Sequence, residues 1–143
     1  MAWEIPNLDF SLLAAADYSG QDINDVAYQY RWMKCNSDGE AQLALGDDAD
    51  NVIGILQNDP EADQAAGIRA EGISKIRVED DQAIVAGDYV STSTNDNGLA
   101  IRVERGVAAV QYHGIALEGV DALEDSLGQV ITVLIKPGTL PAT

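Results

Sequence analysis

One histidine, one cysteine and 24 carboxylates are the side chains in this 143-residue sequence that could do chemistry. His113 stands beside Gly114 at the start of an apolar run. To act as a base it would need a nucleophile and an orienting partner within hydrogen-bond reach. The chain supplies no Gly-x-Ser-x-Gly elbow or other triad motif, so the imidazole reads as a structural or surface residue. One histidine and one distant cysteine do not make the familiar zinc sets. Cys35 adjoins Lys34, which would lower a thiol pKa slightly. Within a strand it reads as a small buried residue, and alone it excludes an internal disulfide framework.

Carboxylates cluster at Asp47-Asp48-Ala49-Asp50 and at Glu79-Asp80-Asp81. The loop from Ser93 has Asn95, Asn97, Gly98 and Glu104 at the third, fifth, sixth and twelfth positions of a calcium loop. Its first position is Ser93 where the motif requires Asp, no flanking helices are evident, and a polar hairpin turn has the same composition. The remaining acidic clusters read as solvated loops. Paired carboxylates for glycosidic chemistry find no preferred pair, since sequence spacing does not report spatial spacing. Phosphate-cradling glycine loops are absent. The motif search therefore assigns no catalytic residue, no cofactor and no metal.

Charge narrows the partners. With 24 acidic and 8 basic residues the formal charge is −16. Such a surface repels phosphate backbones and anionic membranes, so neither nucleic acid nor membrane is an expected partner. No apolar run approaches the roughly 20 residues that span a bilayer. The opening Met1-Ala2-Trp3-Glu4 lacks the pattern of a secretory signal.

Elements that would position these residues read as strands. Tyr28, Tyr30 and Trp32 alternate with polar residues from Ala27 to Lys34. Asn36-Ser37-Asp38-Gly39 then turns the chain into alternating Ala41, Leu43 and Leu45. Asp88–Thr94, Asn95-Asp96-Asn97-Gly98 and the alternation at Leu99, Ile101 and Val103 form a second hairpin, because these turn residues accept positive φ. Further β-rich runs span Val52–Leu56, Gly67–Val78, Val107–Leu117 and Gln129–Ile135. The last is apolar at nearly every residue, as in a strand buried on both faces, and Pro137-Gly138 is expected to stop it. Helical propensity is confined to Leu8–Ala16, with a single turn at Leu123–Ser126.

The expectation is an all-β fold: a compact β-barrel or β-sandwich-like domain with two related hairpin modules and an extended N-terminal arm. Residues 1–25 form the arm, 26–136 the β-domain and 137–143 an irregular tail. A weak repeat, over about 26–80 and 86–136, rests on Gly39 with Gly98, Gly54-Ile55 with Gly114-Ile115, and Gly67 with Gly128, at offsets of 59, 60 and 61 residues. Units of about 60 residues are marginal alone, so the two should share one core.

Gly54-Ile55-Leu56-Gln57-Asn58-Asp59-Pro60, Ala65-Ala66-Gly67-Ile68, Gly72-Ile73-Ser74-Lys75 and Ala86-Gly87-Asp88-Tyr89-Val90 resemble the capsid decoration, or head cement, proteins of tailed bacteriophages. So do Gly114-Ile115-Ala116-Leu117-Glu118 and the run from Gly128 to Ile135. The likeness covers about residues 50–136. It implies a structural virion protein on the outer capsid surface, without catalysis or cofactor. The protein would bind the major capsid protein, stabilise contacts between its subunits, and itself form a homo-oligomer, with a trimer favoured. Trp3, Ile5, Leu8 and Phe10 in the arm are the expected capsid or subunit contacts, the alternative being packing on their own domain. Two other readings are a calcium- or carbohydrate-binding β-module and a small hydrolase using acidic residues.

Overall fold

A computed structural model describes residues 7–46, 51–94, 97–121 and 126–143. Among the described residues there are nine strands: β1 (Leu8–Leu13), β2 (Trp32–Cys35), β3 (Ala41–Leu43), β4 (Val52–Leu56), β5 (Ala65–Arg77), β6 (Tyr89–Thr92), β7 (Ala100–Val103), β8 (Val110–Ala116) and β9 (Val130–Leu140). They make one curled antiparallel sheet in the order β3-β2-β4-β5-β9-β8-β6-β7, with β1 added to β5. The all-β expectation holds, and both hairpins form where the Gly39 and Gly98 turns place them, each glycine having positive φ.

Strand β5 organises the molecule. Its first half, residues 65–71, lies beside β1, and Arg69 and Ile68 also face Ile55 and Leu56 of β4. Its second half, from Gly72 to Arg77, pairs with β9. The change of partner falls at Gly72, where φ is +103° and a Cβ would meet the Asn7 side-chain oxygen. Glycine tolerates that conformation and that closeness.

Pairing repeats along the chain. The series β1 to β5 has order β3-β2-β4-β5-β1, and the series β5 to β9 has order β7-β6-β8-β9-β5. The second half of β5 thus stands in the C-terminal unit where β1 stands in the N-terminal unit. Details agree: Ala14 bridges Ala41 in parallel as Val78 bridges Ala100. The Ala15 amide donates to the Ala41 carbonyl as the Glu79 amide donates to that of Ala100, and the Gln57 amide donates to Gly67 as the Leu117 amide donates to Thr132.

This register confirms the correspondence of Gly39 with Gly98 and of Gly54 with Gly114, but not that of Gly67 with Gly128. Gly67 corresponds to Thr132. Gly128 corresponds to Asp63, since the Asp63 amide donates to the Ala14 carbonyl as the Gly128 amide donates to that of Val78. Both have positive φ, +62° and +75°. The letters misled because the returning strands begin at different depths in their loops.

Two buried clusters follow the two units. Ala14, Met33, Ala41, Leu56, Ala66 and Ile68 share the first. Their counterparts Val78, Val90, Ala100, Ala116, Ile131 and Val133 share the second, joined by Trp32 and Ile55 from the opposite face of β2 and β4. Each fully buried aliphatic side chain contributes about 1.5–3 kcal/mol. The longer link between β1 and β2 covers the first cluster, with Tyr18 buried and its ring edge-on to Tyr28 at 5.6 Å.

Four local expectations are corrected. Leu8–Ala16 is not helical: residues 8–13 are strand, because backbone pairing with β5 outweighs a weak propensity. Tyr28 and Tyr30 precede the strand instead of extending it. Tyr30 has φ of +67°, with its amide donating to Leu56 and its carbonyl accepting from Arg77. Strand β9 does not stop at Pro137. It continues to Leu140, with Gly138 opposite Tyr112, and a bulge between Tyr112 and Gly114 accommodates the proline, which has no donor for the ladder. Nor is β9 buried on both faces, since Ile131, Val133 and Ile135 point inward while Val130, Thr132 and Leu134 are at least partly exposed. The single turn expected at Leu123–Ser126 falls largely outside the described residues.

Candidate docking surface

Groups that invited chemical readings are dispersed. His113 lies at the β8 bulge, buried and edge-on to Trp32 with ring centroids 5.5 Å apart. Both line a cavity of about 90 Å³ with Ile53, Ile135 and Pro137. Cys35 is exposed at the end of β2, contrary to the expected burial, because the strand gives way there to the turn. Ser93 does not face a loop cation site. It is fully buried and donates to Glu79 Oε1 at 2.6 Å. Glu104 instead meets Arg102 at 2.8 Å. Asn95 and the 47–50 cluster lie outside the described residues. Glu79 is buried, so only Asp80 and Asp81 of its cluster behave as a solvated loop. Among the described residues, no three His, Cys, Asp or Glu side chains converge.

Exposed apolar residues gather more coherently. Among the described residues β1 pairs with β5 alone, leaving a strand edge. Leu8, Phe10 and Leu13 on it are 52, 37 and 53 % exposed. Leu12 and Ala14 face the first cluster. Asp9 clasps Arg69 through Nε and Nη2 at 2.9 and 3.1 Å. That hydrogen bonding, helped by the guanidinium charge, outweighs slight burial and lowers the carboxyl pKa. The clasp fixes β1 on β5 while Leu8, Phe10 and Leu13 stay open. An edge of this kind offers backbone groups for strand addition together with apolar area. Leu8 and Phe10 thus sit on one exposed strand, whereas Trp3 and Ile5 lie outside the described residues.

A second patch covers the outer face of the C-terminal unit. Tyr89, Ile115, Leu134 and Ile73 form one row across β6, β8, β9 and β5. All four are half-buried, and Leu117 and Val130 beside them are 45 and 38 % exposed. Lys75 Nζ and the Arg77 guanidinium approach the Tyr30 ring to 5.8 Å at the margin. Sequence reading missed this row. Alternation in the run ending at Leu117 was its only local signal, and which parity faced outward was not readable.

No protein-family model and no curated protein matches the sequence. Among solved structures, the chain is similar to the N base of head fiber gp8.5 of bacteriophage phi29, with a TM-score of 0.53 and 14% identity. The match covers 92% of this chain and 95% of that one. At that identity the likeness is one of fold.

Proposed function

We propose that this chain is a structural protein of a phage head, carried on the outer capsid surface, where it binds the major capsid protein and stabilises contacts between its subunits. The observation that carries the reading is the fold shared with a phage head-fibre base over nearly the whole length of both chains. Charge supports it: at −16 the molecule is repelled by packaged nucleic acid and suits an external position. The exposed β1 edge supplies the means, since apolar anchors at the centre of an interface supply most binding energy and polar rims little. In this reading Leu8 and Phe10, with Trp3 and Ile5 ahead of them, are contacts to the capsid or to a neighbouring subunit, and the protein performs no catalysis.

Heads made without this chain provide the test. Purified chain added back should co-sediment with them and raise the temperature at which they release DNA. Heads that neither bind the chain nor gain heat resistance would overturn the proposal.

A further inference from the structure

Inside one chain the two units meet through a polar pair. Gln57, just past β4, donates its side-chain amide to the Ser74 hydroxyl in the second half of β5 at 2.9 Å. By the register above, Gln57 corresponds to Leu117, because each amide bonds the returning strand in the same way. Ser74 corresponds to Phe10, because Phe10 faces Ile68 as Ser74 faces Val133, and those two residues face Leu56 and Ala116. Both members of the pair thus have apolar counterparts, and both counterparts are exposed. The surrounding face follows the same rule. Trp32 and Ile55 are fully buried by the C-terminal unit, while their counterparts Tyr89 and Ile115 are half-exposed.

The strand ends differ correspondingly. After Arg69, β5 turns at Gly72 to become the first strand of the next unit. After Leu134, β9 stays on β8 as far as Leu140, so no strand among the described residues follows beside Leu117. Among the described residues, then, β1 is a first strand with no unit packed before it, and the Leu117 face has no unit packed after it.

We infer that a second copy of this chain supplies both. The β1 strand of one copy lies against the β8–β9 end of another, with Phe10 on Leu117 and the Tyr89–Ile115–Leu134 row covered by the incoming unit. The contact continues the interface already present between the units, with the polar pair replaced by an apolar one. It is heterologous, joining two different surfaces, so it closes into a ring or propagates as a fibre. Each copy carries −16, and the resulting repulsion is screened by salt, so association strengthens as ionic strength rises. Phe10 is then a contact between copies; self-association is read in the isolated protein and capsid binding on heads, so either can fail without the other.

Sedimentation of the full chain tests it. The wild type should self-associate more tightly at about 0.5 M salt than at low salt. Phe10→Glu and Leu117→Glu should each weaken association by about tenfold or more, as expected for a central apolar anchor, with circular dichroism unchanged. In a Cys35→Ser background, Phe10→Cys mixed with Leu117→Cys should give a disulfide dimer containing one of each, and neither variant alone should cross-link. A monomer at millimolar concentration in high salt would overturn the inference. So would two Glu variants that associate like the wild type, or cross-links formed within a single variant.

Discussion

Arg31 is 1 % exposed, yet it is a cation in the middle of a β protein. Its guanidinium donates to the carbonyls of Ala27, Val26 and Asn97 and to the Asp22 carboxylate, the last at 2.6 Å. One side chain so ties the long β1–β2 link to the tip of the second hairpin. Burial pushes the Asp22 carboxyl pKa up, but hydrogen bonds from Arg31 and from the amides of Val26 and Asn24 outweigh it and leave the pKa lowered. A carboxylate depressed on folding contributes stability above its unfolded pKa of about 3.9 and loses it as pH falls through the folded value. Asp22→Asn should therefore cost about 3 kcal/mol near neutrality, because Arg31 is left buried without its counter-ion. The difference from wild type should vanish in strong acid, where Asp22 is itself neutral. Urea midpoints across the acid range measure this, and a pH-independent difference would contradict it. Nothing local marked Arg31: in sequence it is one polar residue of an alternating run, and Asn97 is 66 positions away.

At the scale of elements, the hairpin tips show how equivalent turns acquire different roles. Gly39 and Gly98 have φ of +80° and +74°. A Cβ on Gly39 would meet nothing within 4 Å, whereas one on Gly98 would approach the Trp32 carbonyl oxygen to 2.7 Å and the Arg31 Cβ to 2.8 Å. The second tip is docked: the Trp32 amide donates to the Gly98 carbonyl, and the Gly98 amide donates to that of Ala44. Gly39→Ala should cost about 1–2 kcal/mol for the left-handed backbone alone. Gly98→Ala should cost about 1–3 kcal/mol more, from displaced packing. Equal losses in chemical denaturation would show that the docked tip is not held as described. Turn chemistry made both hairpins legible, and β-branched runs located β4, β5, β8 and β9. The course of β1, and of β9 through Pro137, depended on partners far away in sequence. Local propensity therefore misjudged both.

For the whole molecule, the shared strand matters most. Because β5 closes the N-terminal unit with its first half and opens the C-terminal unit with its second, neither unit has a complete sheet without it. Trp32 and Ile55 of the first unit also lie in the core of the second. Heat unfolding should therefore be a single transition whose calorimetric and van't Hoff enthalpies agree. Two resolved transitions would mean that the units are thermodynamically separate. Units of about 60 residues bury too little surface to be robust alone, so cooperation through β5 is the economical arrangement.

By itself the sequence determined what local rules control. Alternation with β-branched residues made the chain all-β, Asp-Gly and Asn-Gly placed the hairpins, and the charge excess set the expectation that phosphate-rich partners are repelled. Only the tertiary structure decided which unit begins where, that Arg31 and Glu79 go inside, and that the faces of Phe10 and Leu117 stay open. The pairings of β1 with β5 and of β5 with β9 join residues roughly 60 positions apart, where a one-residue slip turns a side chain to the other face. Spacing along the chain carries no record of that choice.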